Sequence, residues 1–299
     1  MAGEARSIVT NVATGRLYVV ATPIGNLGDL SARARETLAG CALIAAEDTR
    51  HSATLLRAFG ISTPMISLHD HNEAQRAPEL IERLRAGASV ALVSDAGTPA
   101  ISDPGFDLVR ACAAAGIEVV AIPGPCALVA ALSIAALPTD RFCFEGFLPA
   151  RAAARRARLR GLSAETRTLV FYESPHRIKE TLADCAEQLG ETRAAALARE
   201  ITKLHESLYR GSLGELAARA ANEADLSRGE IVLVIAGAAP ESAARGDDGH
   251  AGALDRALKP LLEELPLKQA AHLAARIVSV RDNEAYRRAL ELKQAYGAR

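Results

Sequence analysis

The chain has 299 residues, 49% hydrophobic and 24% charged, with 35 basic and 36 acidic side chains and a formal net charge of −1. These proportions exclude a mainly disordered chain, and the length suits about two domains of 100–200 residues each. No apolar run is long enough to span a membrane, and residues 1–15 lack the apolar core of a signal peptide.

Strands and helices alternate through the first part of the chain. The pattern predicts strands at 17–21, 42–46, 89–93 and 118–122, and helices at 31–39, 52–59, 73–86 and 104–115. Alternation of this kind implies a mostly parallel sheet covered by helices. The run Val90, Ala91, Leu92, Val93 suits a strand buried on both faces. Beyond residue 123 the predicted strands are 141–147, 168–172, 194–198, 206–210 and 230–236, some joined by connections short enough for antiparallel pairing. The expected organisation is a tail (1–16), an α/β domain (17–123), a second α/β domain (124–237), a flexible linker rich in Ala, Gly, Pro, Asp and Ser (238–251) and a small helical module (252–299). In that module one helix ends at Pro266, and two more are expected at 267–280 and 282–293, as in a helix-turn-helix.

Cys41, Cys112, Cys126, Cys143 and Cys185 are odd in number, widely spaced and set in apolar segments. They read as free thiols of a reducing cytoplasm rather than as disulfides or a metal site. Only five of the 35 basic residues are lysine. That bias accompanies abundant alanine and reads as codon composition, so the informative point is where the arginines cluster.

Three predicted strand ends carry Gly/Pro-rich loops. The first runs from Thr22, Pro23, Ile24 and Gly25 through Asn26, Leu27, Gly28 and Asp29. Its glycines permit close backbone approach to a ligand, but their spacing is not the dinucleotide fingerprint. A purely structural strand-to-helix turn explains it equally well. The second covers Ser94, Asp95, Ala96, Gly97, Thr98, Pro99, Ala100, Ile101, Ser102, Asp103, Pro104 and Gly105. Asp103 with Pro104 reads as an N-cap followed by proline at the first helical position. The preceding polar loop, at the carboxyl end of a buried strand, reads as a ligand contact. The third is Pro123, Gly124, Pro125, Cys126, Ala127. Charged clusters follow other strands: Glu47 to His51, Glu173 to Arg177, and Arg199 to Glu206. His69 and His71, two residues apart and without identifiable partners, read as a polar loop rather than a metal site.

Five of these runs, in order, resemble the ribosomal small-subunit methyltransferase I family of the tetrapyrrole methylase superfamily. They are Thr22–Asp29, Ala46 to Arg50, Ser94–Gly105, Tyr172 to Arg177 and Arg199 to Lys203. The resemblance covers residues 17–237, and the tail resembles that family's C-terminal extension. It implies two α/β domains with S-adenosyl-L-methionine in the cleft between them, and no metal. It further implies 2′-O-methylation of a cytidine ribose (C1402 in the usual rRNA numbering) in the decoding region of 16S rRNA, with the 30S subunit as partner, by a cytoplasmic homodimer. Ala100 and Cys126 stand where the family more often has Gly and Ser, and Ile201 replaces Leu.

Carried over position by position, the resemblance implies cofactor contacts from Ile24, Gly25, Ser94, Asp95, Ala96, Gly97, Thr98, Ile101, Cys126, Ala127, Glu173 and Ile201. Methyl transfer from a sulfonium is an in-line displacement that needs positioning above all. Glu47, Asp48, Glu173, Glu200, Lys203 and Glu206 are the candidate proton acceptors. Asp48, Lys203 and Glu206 are the expected catalytic set, with Lys203 alternatively holding a phosphate or lowering the hydroxyl pKa by its charge. Arg151, Arg155, Arg156, Arg158 and Arg160 crowd ten residues that contain no acid. Arg151, Arg155 and Arg158 share a helix face and read as a phosphate track, joined by Arg50, Arg177 and Arg199. A solvated basic helix is the competing reading. Two alternatives to an rRNA methyltransferase follow: a tetrapyrrole methyltransferase, which needs neither the arginine helix nor the helical tail, and a non-catalytic RNA-binding assembly factor, which would not need intact pocket loops.

Overall fold

The structure is a computed structural model that describes residues 15–223, 226, 228–239 and 250–296. The tail expected at 1–16 and the linker expected at 238–251 therefore fall mostly outside the described residues. The C-terminal end of that linker is corrected, because helix already begins at His250.

The first sheet contains β1 (Leu17–Val20), β2 (Leu43–Ala46), β3 (Met65–Ser67), β4 (Val90–Val93) and β5 (Val119–Ile122), all parallel in the order β3-β2-β4-β1-β5. Its central strands are buried on both faces, as their unbroken apolar runs require. Helices α1 (Ala32–Gly40) and α2 (Thr49–Ala58) cover one face through Ala34, Leu38 and Leu56. Helices α3 (Glu73–Arg85) and α4 (Phe106–Ala114) cover the other through Leu80, Leu84 and Leu108.

Helix α5 (Ala127–Ile134) leads to the second sheet. That sheet contains β6 (Phe142–Phe147), β7 (Thr168–Glu173), β8 (Ala194–Arg199), β9 (Ser207–Ser212) and β10 (Ile231–Ile235) in the order β6-β7-β10-β8-β9. Only β6 and β7 pair in parallel; the other ladders are antiparallel, and a short return joins β8 to β9. Helices α6 (Ala152–Gly161), α7 (Ile178–Leu189) and α8 (Leu213–Asn222) pack on one face. The other face is covered by α5 together with Ile24 and Ile201. An element that follows the first sheet thus lies on the second, and a residue of the first loop joins the same apolar cluster. Helices α9 (His250–Glu264), α10 (Leu267–Val278) and α11 (Asp282–Tyr296) enclose a separate core of Leu254, Leu258, Ala274 and Ala289. None of the described helices is long and apolar enough to cross a membrane.

Three local differences from the sequence reading have physical causes. Strand β3 and helix α5 lay outside the pattern: the first has three residues, and the second is apolar all round, without periodicity. Helix α2 starts three residues earlier than expected because the Asp48 carboxylate accepts from the Arg50 amide and caps it. The N-cap reading of Asp103 is incorrect. Helix α4 begins at Phe106 after Gly105, which sits at φ +122° and has no side-chain cap of its own. The buried carboxylate of Glu73, on α3, accepts from the Gly105 and Leu108 amides at 3.2 and 2.8 Å and supplies the cap from a neighbouring helix.

Candidate cofactor cleft

The three strand-end loops of the first sheet are tied together by hydrogen bonds. Thr22 and Gly97 exchange hydrogen bonds of 2.8 and 3.1 Å as an isolated antiparallel bridge, joining the first loop to the second. The Thr98 hydroxyl donates to the Pro125 carbonyl at 3.1 Å, joining the second to the third. From the third loop, the Leu128 amide at the start of α5 donates to the Tyr172 hydroxyl on β7, which links this assembly to the second sheet.

Between these loops and β7 and β10 lies a cavity of about 330 Å³, within the usual range for a ligand pocket. Ile24, Ala96, Gly97, Thr98, Ile101, Cys126, Ala127, Glu173 and Ile201 line it. Three other expected contacts do not. Ser94 is buried behind the loop. The Asp95 carboxylate accepts from the Asp48 amide while the Asp95 amide donates to Glu47, so Asp95 ties the loop to the end of β2. Gly25 lies at φ +151° against the Lys203 stem, where a Cβ would come 2.3 Å from Cγ. Sequence reasoning missed Ser102, Phe147, Tyr172 and Glu230 as lining residues, and gave Asp103 only a capping role. Phe147 is a strand residue without a motif of its own, and Tyr172, though it opens the Tyr172 to Arg177 run, is not among the expected contacts. Asp103 was legible as a polar member of the second loop.

The backbone is unusual where the cavity is built. Ala100 and Ser102 have φ of +67° and +64°, and Glu200 and Thr202 have +51° and +68°, all non-glycine residues in the left-handed region.

The charged candidates are mostly committed to holding the walls. Glu173 accepts from Arg177 and from Thr181 and is itself buried, so Arg177 neutralises a wall carboxylate. The Arg199 guanidinium donates to the carbonyls of Arg228 and His205. Glu206 accepts from the Thr202 amide at 2.7 Å. Lys203 reaches Glu200 at 2.9 Å and Glu230 at 3.2 Å. Burial works against the Lys203 charge, but the two carboxylates outweigh it and hold the ammonium pKa above its ordinary value. Bonds from the Arg50 side chain and backbone hold the Asp48 carboxyl well below the usual carboxylate range. Asp48 is therefore a weak proton acceptor, and its side chain does not line the cavity. Burial raises the Glu47 pKa, and nearby Asp95, Asp70 and Asp48 add to the rise.

The expected phosphate track on α6 needs correction at Arg155. Its guanidinium is buried and ion-paired with Asp184 at 2.6 Å, with Arg156 reaching the same carboxylate at 3.4 Å. Arg158 pairs with Glu145. The acids that the local sequence lacked come from α7 and β6. Arg151, at the N-terminus of α6, is exposed, as is the Arg50 side chain. Among the described residues no group of three His, Cys, Asp or Glu side chains stands close enough to hold a metal ion. The histidine segment instead forms a turn in which Asn72 accepts from the His69 amide.

Two α/β units, with strand-end loops of one closing a cavity against the sheet of the other, define a methylase of the tetrapyrrole type. The chain belongs to the tetrapyrrole (corrin/porphyrin) methylase family, whose sequence pattern matches residues 16–217, in the group named ribosomal RNA small subunit methyltransferase I. Residues 248–293 match the pattern of the RsmI C-terminal HTH domain. The chain is 53% identical over 281 residues to the Pseudomonas aeruginosa protein of that name, covering 94% of this chain and 98% of the relative. It is 52% identical over 277 residues to the Escherichia coli O157:H7 protein, covering 93% and 95%. Among solved structures the methyltransferase CobJ matches with a TM-score of 0.57 at 20% identity, over 76% of this chain and 95% of that one. A Thermus thermophilus uroporphyrin-III C-methyltransferase complexed with S-adenosylhomocysteine matches with a TM-score of 0.52 at 18% identity, over 74% and 97%. At those identities the structures speak to the fold alone.

Proposed function

We propose that the chain is an S-adenosylmethionine-dependent methyltransferase of 16S rRNA, acting on the 2′-hydroxyl of a cytidine, position 1402, in the decoding region. The observation that supports this best is the complete loop-walled cavity in a chain about half identical, over nearly its whole length, to relatives that carry an rRNA methyltransferase name. The division into domains at 17–123 and 124–237, the cytoplasmic setting and the homodimer belong to the same reading.

The residues present suit the cofactor. Ile24, Ile101 and Ile201 offer apolar walls for an adenine, and the 96–98 turn offers backbone groups for the polar parts. Gly97, at φ +84°, takes a conformation that side chains rarely adopt. S-adenosylmethionine, when bound, supplies an electrophilic methyl group on a sulfonium. The chain contributes position and charge. The tied loops hold one wall rigidly against the other, which is the main requirement of an in-line transfer. Lys203 stays protonated in its carboxylate pair and so acts as a fixed cation toward a phosphate or a developing alkoxide rather than as a base. Glu206 and Glu200 hold the Lys203 loop. Of the expected set, Arg151 is exposed, and Arg50, although it pairs with Asp48, has the most exposed side chain of the ion-paired arginines; these two are suited to grip phosphate. Arg151 stands just beyond Phe147 of the cavity wall.

Methyl-labelled S-adenosylmethionine offered with 30S subunits, free 16S rRNA or uroporphyrinogen III tests the reading. Label in the RNA of either form, recovered as 2′-O-methylcytidine, is expected. Label only in the porphyrinogen would replace this reading with the tetrapyrrole one, and binding without transfer would leave an assembly factor.

A further inference from the structure

Three carboxylates line the cavity: Asp103, Glu173 and Glu230. Glu173 is matched by Arg177, and Glu230 by Lys203. Asp103 alone has no cation within ion-pair distance among the described residues. Its segment is firmly held. The Ala100 amide donates to the Pro104 carbonyl, the Ile101 amide to the Thr98 carbonyl, and Gly105 is fixed by Glu73. The left-handed backbone at Ala100 and Ser102 precedes it. A half-buried carboxylate without a counter-ion, fixed on the wall of a ligand cavity, is a costly arrangement in the empty protein. A cationic ligand removes that cost.

We propose that Asp103 is the residue that recognises the positive charge of the methyl donor, so that the cavity prefers the sulfonium substrate over its neutral thioether product. This rests on the reading of the cavity as an S-adenosylmethionine site and goes beyond it by assigning charge discrimination to one side chain. Substrate and product share the adenosine and the amino-acid tail and differ in the methyl group and the charge on sulfur. Apolar walls distinguish them poorly, whereas a carboxylate in a poorly solvated cavity distinguishes them strongly. The preference has a functional consequence: transfer abolishes the charge that held the ligand, which favours product release.

The surroundings of Asp103 give the idea a pH signature. Burial lifts its pKa to about 6, with Glu47, Asp95 and Asp70 adding to the rise. Those carboxylates come from the ends of β2 and β4 and the turn before α3, and the Tyr172 phenol faces it from β7. A cation bound beside Asp103 favours its ionised form, so binding expels a proton wherever the free protein holds one. Affinity for a cationic ligand is then complete above about pH 6 and weakens below it.

Calorimetric titration of the full chain with S-adenosylmethionine, S-adenosylhomocysteine and sinefungin, which carries an ammonium near the sulfonium position, tests this. In the wild type, S-adenosylmethionine and sinefungin are expected to bind roughly tenfold more weakly at pH 5 than at pH 7.5, and S-adenosylhomocysteine to change much less. In Asp103→Asn the preference for the two cationic ligands over S-adenosylhomocysteine should fall by about tenfold and its pH dependence should flatten. Asp103→Glu should restore part of both. An unchanged ligand ratio in a folded Asp103→Asn protein overturns the proposal; if its kcat alone falls, the side chain serves proton transfer instead. No binding of any of the three ligands to the wild type would overturn the cofactor reading itself, a distinct outcome.

Discussion

The Arg155 guanidinium lies 2.6 Å from the Asp184 carboxylate, with both side chains almost wholly buried, and this pair joins α6 to α7. An arginine that the sequence presents as one of five surface cations is thereby part of the core of the second unit. Removing Arg155 leaves the buried Asp184 carboxylate only its longer contact of 3.4 Å with Arg156, at a cost approaching the roughly 3–5 kcal/mol of a broken buried pair. Arg155→Met should therefore lower stability by roughly that amount, while Arg155→Met with Asp184→Leu should recover most of it, as urea unfolding would show. Equal losses in the single and double variants would mean that the pair is not buried as described.

RNA affinity should separate the solvent-facing Arg50 and Arg151 from the buried Arg155. Arg50→Ala with Arg151→Ala should weaken binding to 16S rRNA and reduce the slope of log affinity against log salt by about one for each phosphate no longer neutralised. Arg155→Met, assayed where it remains folded, should leave that slope unchanged. Filter-binding titrations across salt concentrations distinguish the two outcomes.

Gly25 and Lys203 should behave as one unit. A methyl group at Gly25 would fall 2.3 Å from Lys203 Cγ and 2.9 Å from Cε, so the lysine must leave its place between Glu200 and Glu230. Gly25→Ala should reduce methyl transfer at least tenfold. The same substitution in a Lys203→Ala background should cost far less, giving a large coupling in a double-mutant cycle of kcat/KM. Additive effects would show that Gly25 does not govern where the lysine stands.

Glu73 should affect the cofactor from a distance. It supplies the cap of α4 and thereby holds the end of the second loop. Glu73→Ala should cost about 1–2 kcal/mol of stability and raise the KM for S-adenosylmethionine more than it lowers kcat. Glu73→Gln keeps an acceptor and should fall between the two.

Thiol labelling reports on the cavity without RNA. Cys41, Cys112 and Cys185 are buried, and burial raises the pKa of the first two to about 11 and that of the third to about 12. Cys126 and Cys143 are half-buried, and only Cys126 lines the cavity. With iodoacetamide at about pH 8, mass mapping should find Cys126 and Cys143 modified before the other three. S-adenosylhomocysteine should protect Cys126 and leave Cys143 unaffected.

What the sequence made legible followed from local rules. The unbroken apolar runs of β2 and β4 identified a sheet buried on both faces, and the Gly/Pro-rich strand ends identified the loops that wall the cavity. What it hid depended on contacts between distant segments. The partner of Arg155 is 29 residues away on another helix. The cap of α4 comes from Glu73, 32 residues before Gly105, so Asp103, well placed for a local cap, was free for the cavity wall. Asp95 and Ser94 sit in the right loop but do not line the cavity, because Asp95 is bonded to Glu47 and Asp48 at the end of β2 and Ser94 is buried.

A crystal structure of the chain soaked with S-adenosylhomocysteine tests the cleft most directly. The ligand is expected between Ile24, Gly97 and Thr98 on one side and Ile201 and Tyr172 on the other. Ligand density elsewhere, or an empty cavity at saturating ligand, would contradict the assignment of this cleft to the methyl donor.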